Sequence, residues 1–211
     1  MIGNLGKCDK QNMADFLQKM KANLSESKDA ENQKEILERK ERKFQERLKH
    51  CNIMKRFQNA TFEELERKGI PADIEKNYLN AKKYAENFKS YYGKGIGIMM
   101  MGSVGRMKTT LAIAIAQYIM RHGYSAYFVP MAELLDTMIS MSRNLDRSEL
   151  QRFEGMISNT ALLLLDDLGT EYQTNWVINK VDAIISRRYT RMLPVVVTKN
   201  LLSEEFKDQY A

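Results

Sequence analysis

Gly102-Ser103-Val104-Gly105-Arg106-Met107-Lys108-Thr109 decides how this chain is read. It lies between a short apolar run, Ile96–Met101, and an apolar helical stretch that begins near Lys108. A glycine, four variable residues, a glycine, a lysine and a Ser/Thr make a phosphate-binding loop when placed between strand and helix. Its successive backbone N–H groups wrap phosphates at a helix N-terminus. Gly102, Lys108 and Thr109 fill their places, and Gly105 adds the middle glycine common in such loops. Lys108 would reach the outer phosphates and Thr109 would ligate magnesium. The candidate nucleotide-binding residues are therefore Gly102, Ser103, Val104, Gly105, Arg106, Met107, Lys108, Thr109 and Thr110. Met107 departs from the pattern, because it stands where the last glycine belongs. A side chain there either strains the backbone, by about 1–2 kcal/mol if the residue is left-handed, or takes room from the ligand. Taken alone, Gly102–Met107 also fits an ordinary glycine-containing turn between strand and helix.

Downstream, Leu162-Leu163-Leu164-Leu165 runs into Asp166-Asp167. Four consecutive leucines read as a parallel strand buried on both faces. The two carboxylates then fall at its C-terminal end, the edge where open α/β sheets hold ligands. Asp166 is placed to hold magnesium through water and Asp167 to orient an attacking water. The separation of 58 positions from Lys108 to Asp166 leaves room for one strand, Ala126–Val129, and helices over 131–141 and 147–158. A helix over 175–188 follows, then a strand Pro194–Thr198 ending in Lys199-Asn200. Asn200 or Thr198 could contact the terminal phosphate or its water. The expected fold is α/β, a parallel sheet flanked by helices. Lys108, Asp166, Asp167 and Asn200 are its candidate catalytic residues, and Thr109 and Asp166 its magnesium ligands. Arg187, Arg188 and Arg191 cluster before the last strand and could meet DNA or a neighbouring subunit, or only solvent or a local ion pair.

The N-terminal part differs in composition. The formal net charge of +6 sits almost wholly in residues 1–60, which hold 14 Lys/Arg against 9 Asp/Glu. A weak helical pattern covers 9–23, a polar break 24–31, and a charged helical stretch with a thin apolar stripe 34–57. A basic excess suits nucleic acid or an acidic partner, and equally a solvated helix. Gly69-Ile70-Pro71 punctuates the chain before a helix over 73–91. Two cysteines, Cys8 and Cys51, form neither a disulfide framework nor a zinc spacing, and His50-Cys51 reads as a surface pair. No apolar window reaches the length of a membrane span, so a cytoplasmic, membrane-free protein is expected.

These motifs resemble the bacterial and phage DnaC/DnaI-type helicase loaders and the related IstB transposition ATPases, a group of AAA+ ATPases. The likeness begins at Phe57–Phe62 and Gly69-Ile70-Pro71 and continues through Ala85–Phe88, Gly95–Ile98 and Gly102–Thr109. It then takes in Phe128–Leu135, Leu162–Gly169 and Pro194–Leu202. The resemblance implies an AAA+ core over residues 57–211 and a helicase-binding helical region over 1–56. It implies ATP and magnesium as cofactors, and a replicative helicase and single-stranded DNA as partners, with homo-oligomers possible. The stretch Phe57–Ile70 would help line the base pocket. A transposition helper ATPase and a non-hydrolysing helicase-binding adaptor or inhibitor are the alternatives. Family members continue into a helix with an arginine finger, whereas this sequence stops at Ala211. With Met107 in the loop, weak or impaired hydrolysis is the expectation.

Overall fold

The four apolar runs become the four strands of one parallel sheet in the computed structural model, which describes residues 20, 31–143, 147–168 and 175–200. The chain divides into two units, Met1–Lys43 and Phe44–Ala211. The boundary falls inside helix α1, residues 31–50. In the first unit, residues 31–43 are helical and exposed along their whole length. The helix read at 9–23 lies outside the described residues apart from Met20.

The second unit carries the sheet. Its elements after α1 are a 3-10 turn at Lys55–Phe57, α2 (Phe62–Lys68), α3 (Glu75–Glu86), α4 (Phe88–Tyr91), β1 (Ile98–Met101) and α5 (Lys108–Arg121). There follow β2 (Ala126–Pro130), α6 (Met131–Arg143), α7 (Arg147–Asn159), β3 (Leu162–Asp166), α8 (Asn175–Thr190) and β4 (Val195–Lys199). The strand order is β1-β4-β3-β2, all parallel, with Met99 opposite Val197, Leu164 opposite Val196 and Phe128 opposite Leu164. Because every pairing is parallel, the residues that follow β1, β3 and β4 emerge at one edge of the sheet.

β3 shows why four leucines in a row are needed. Side chains alternate across a strand. Leu162 and Leu164 join a core with α3, α5, Phe128 and Val196, while Leu163 and Leu165 join a second core with Met131, Leu134, Met138 and Ile157 of α6 and α7. Both faces are covered, so no position can be polar until Asp166. The helix α5 is likewise buried from Leu111 to Gln117. β1 and β4 approach so closely that a side chain on Gly97 would fall on the carbonyl oxygen of Val195.

Three local readings change. The helix expected over 73–91 breaks at Asn87, whose side-chain amide donates to Lys83 O at 2.8 Å and competes with the backbone ladder. α2 was not expected from the apolar periodicity. Thr61 caps it by accepting from Glu64 N at 3.2 Å. Cys51 is not a surface residue: it is fully buried, burial pushes its thiol pKa up, and Phe44, Cys51 and Ile53 belong to the core of the second unit. The segment it starts closes the outer edge of β2. Phe128 N donates to Cys51 O at 2.8 Å, and the Asn52 amide donates to Phe128 O at 3.1 Å. An open strand edge would otherwise template pairing with other chains.

Candidate nucleotide-binding site

The loop between β1 and α5 has the backbone that phosphate binding requires. Gly102 and Gly105 take φ of 148° and 85°, and Met107 takes φ 55°, ψ 17° as the N-cap of α5. Met107 thus occupies the left-handed region that glycine enters without cost. A left-handed methionine costs about 1–2 kcal/mol of backbone strain relative to glycine. Its side chain packs against the core of α3 and α5. The first N–H groups of α5 have no partner within the helix and point their positive ends at the loop.

Lys108, the first residue of α5, is buried, and its Nζ donates to Gly102 O at 2.9 Å and Ser103 O at 2.8 Å. Burial pushes its pKa down, against the nearby Asp167 and Asp166. The ammonium is thereby held at the mouth of the loop. Next, Thr109 Oγ1 donates to Asp166 Oδ1 at 2.8 Å, which joins the loop helix to the end of β3. The same oxygen accepts from Thr198 Oγ1 at 2.6 Å, and that hydroxyl accepts from Asp167 N at 3.0 Å. Thr198 is buried and committed to both aspartates, so it organises the carboxylates and is not placed to touch a ligand.

Asp167 has φ 58°, a left-handed turn straight after the strand, and lines the cavity with Asn200. Asn200 donates to its carboxylate. Burial first, and Asp166 second, push the Asp167 pKa up, while Lys108 and Asn200 oppose the shift. A carboxylate whose ionised form is disfavoured in this way gains from any cation or water that binds beside it.

The cavity over the loop has a volume of about 280 Å³ and is lined by Phe57, residues 104–110, Asp167 and Asn200. Of the expected nucleotide-site residues, 104–110, Asp167 and Asn200 line it, while Gly102, Ser103 and Asp166 do not. Arg106 lines it too, but its guanidinium pairs with Asp73, at the turn before α3. A larger groove of about 670 Å³ lies beyond the turn at Gln58–Thr61, towards Gln45 and Arg121. It holds neither the loop nor the aspartates. Among the described residues no group of three His, Cys, Asp or Glu could hold a metal. Thr109 and Asp166, 2.8 Å apart, offer two hard oxygen ligands, the number expected where phosphate and water supply the rest.

The arginines divide. Arg187 forms an ion pair with Glu154 at 3.1 Å, and Arg191 donates to Asn159. Arg188 contradicts its assignment as a DNA or subunit contact, because it is completely buried and binds four backbone carbonyls. Sequence reasoning also missed Gln117, a buried amide in α5, although one amide inside Leu111–Met120 is a visible anomaly.

Comparison with known proteins agrees with this geometry. Residues 12–211 match the family described as IstB-like ATP binding protein. The chain is 28% identical over 175 residues to the replicative helicase loader DnaI of Bacillus subtilis (strain 168), covering 81% of this chain and 53% of DnaI. It is 27% identical over 172 residues to the replicative helicase loader DnaC of Escherichia coli (strain K12), covering 80% of this chain and 67% of DnaC. The chain thus spans about half the length of one of these relatives and two thirds of the other. A crystal structure of the DnaC helicase loader overlays with a TM-score of 0.61 at 26% identity, over 74% of this chain and 86% of that one.

Proposed function

This chain belongs to the IstB-like ATP-binding family, and we propose that it is a helicase-loader-like protein of DNA replication. It binds ATP with magnesium, a ring-shaped replicative helicase and single-stranded DNA, and it hydrolyses ATP weakly. The observation that carries the nucleotide part is the joining of loop and strand end: Lys108 at the loop mouth and Thr109 bonded to Asp166. The expected AAA+ fold is the one it shares with the DnaC loader.

In this reading the N–H groups of the loop and α5 bind the phosphates, and Lys108 leaves the loop carbonyls for the terminal phosphate oxygens. Thr109 and Asp166 hold magnesium, which neutralises phosphate charge. Asp167 orients the attacking water, and Asn200 fixes the Asp167 carboxylate. Phosphoryl transfer is mostly positioning and charge neutralisation, so small losses of geometry weaken it. Met107 introduces such a loss because its side chain lines the cavity where glycine would leave space. Met107→Gly is expected to bind ATP about three- to tenfold more tightly, on the order of 1 kcal/mol. Equal affinities in equilibrium titration would show that the methionine is accommodated without cost.

The helicase part of the reading rests on the relatives, on the basic composition of the N-terminal region and on the exposure of residues 31–43. Because Phe44, Cys51 and Ile53 belong to the core, the informative deletion ends at Lys43. Full-length chain is expected to capture a replicative helicase in a pull-down, and the chain lacking residues 1–43 to lose it. Capture of a transposase in place of helicase would favour the transposition-helper reading. Capture of helicase without ATP turnover would favour an adaptor.

A further inference from the structure

We infer that Gln117 is a positioning residue that sets the nucleoside end of the ATP site. Gln117 lies on α5, about 13 Å along the helix from Lys108, and its side chain is 1% exposed. Its amide Nε2 faces three backbone oxygens of one turn: Phe57 O at 3.1 Å, Gln58 O at 3.0 Å and Ala60 O at 3.3 Å. A buried amide donor costs free energy unless it is matched, and here a single NH2 group meets a converging set of acceptors. The turn it grips carries Phe57.

Phe57 reaches the 280 Å³ cavity from the segment before α2. It packs against the core of α3 and α5, and Arg56 lies 4.5 Å from the centre of its ring. The other lining residues belong to the loop, the start of α5 and the ends of β3 and β4, and those groups suit phosphate. Phe57 is the one aromatic side chain among the lining residues, and aromatic faces suit a base or ribose. α5 therefore joins two functions. Its N-terminus holds the phosphates and Gln117 holds the wall that meets the nucleoside, so both ends of the ligand are measured from one rigid helix.

This inference rests on the ATP-binding reading, and the test separates the two. The full chain, Gln117→Met and Phe57→Ala are each titrated with ATP and with inorganic tripolyphosphate, both with magnesium, after circular dichroism and a thermal melt confirm folding. Gln117→Met keeps side-chain length and removes the amide, donor and acceptor together. It is expected to lose about tenfold in ATP affinity, as Phe57→Ala does, with tripolyphosphate affinity unchanged. The double variant should be no weaker than either single one, because both act through one wall. Gln117→Met that binds ATP like the parent overturns the inference. So does equal weakening of ATP and tripolyphosphate, which would mark general damage to α5. If Gln117→Met does not fold, Phe57→Ala decides: an unchanged ATP preference overturns the inference, and its loss supports it. A parent chain that binds neither compound overturns the nucleotide reading, and the inference with it.

Discussion

Lys108→Ala is expected to weaken ATP binding by roughly 30- to 1,000-fold, the equivalent of about 2–4 kcal/mol. Charge-assisted hydrogen bonds to phosphate are the strong ones, and among the described residues lining the cavity the only other cation is Arg106. Arg106 is engaged by Asp73, outside the loop. The ammonium is already buried at the loop, held by Gly102 O and Ser103 O, and exchanges these carbonyls for phosphate oxygens. The substitution should leave the melting temperature of the ligand-free chain nearly unchanged. The acceptors of Lys108, Gly102 O and Ser103 O, belong to partly exposed loop residues, so water can replace the ammonium there. The thermal stabilisation that excess ATP confers on the parent should vanish in the variant. An Ala variant that binds ATP as the parent does would remove Lys108 from the site.

The second large effect is on folding. Arg188→Ala is expected to destabilise the chain by about 3–5 kcal/mol, with loss of roughly 10 °C or more in melting temperature. Arg188 donates to Ile157 O at 2.8 Å, Thr160 O at 2.9 Å and Pro194 O at 2.7 Å, with Ala161 O at 3.5 Å. These carbonyls belong to the end of α7, the turn into β3 and the approach to β4. One planar guanidinium therefore sets where two central strands begin. Burial lowers its pKa to about 10, so it stays charged at neutral pH. Truncation leaves the carbonyls unmatched and a cavity in place of a large side chain. Arg188→Lys should recover only part of the loss, because a single ammonium cannot span acceptors on three segments. If Arg188 served DNA, Arg188→Ala would weaken DNA binding at unchanged stability, and chemical denaturation decides between the two.

The fold was legible where apolar pattern and chain punctuation coincide. Leu162–Leu165 could be read as a two-sided strand because no polar residue interrupts it, and the structure places its leucines alternately in two cores. The loop and Asp166 were legible for a related reason, since a parallel sheet brings strand ends to one edge. Less was visible where a polar side chain turns inward. Arg188 and Arg187 are adjacent on one helix, yet one is fully buried and the other half exposed. Composition does not distinguish them, because the difference arises from which helix face meets α7 and the starts of β3 and β4. Thr198 was singled out, but as a ligand contact; its place on a buried strand commits its hydroxyl to Asp166 instead. α2 escaped notice because its start is a hydrogen bond from a cap rather than an apolar period.

Met107 has gained a sharper meaning. The structure shows the loop closed around a left-handed methionine, so the residue does not prevent the phosphate-binding shape from forming. The central claim is then that this loop, methionine included, binds ATP. Calorimetric titration of the 211-residue chain with ATP in magnesium tests it most directly. The account predicts saturable binding at a single site, displaced by ADP and lost in Lys108→Ala. No measurable binding at millimolar ATP by a folded chain would contradict it.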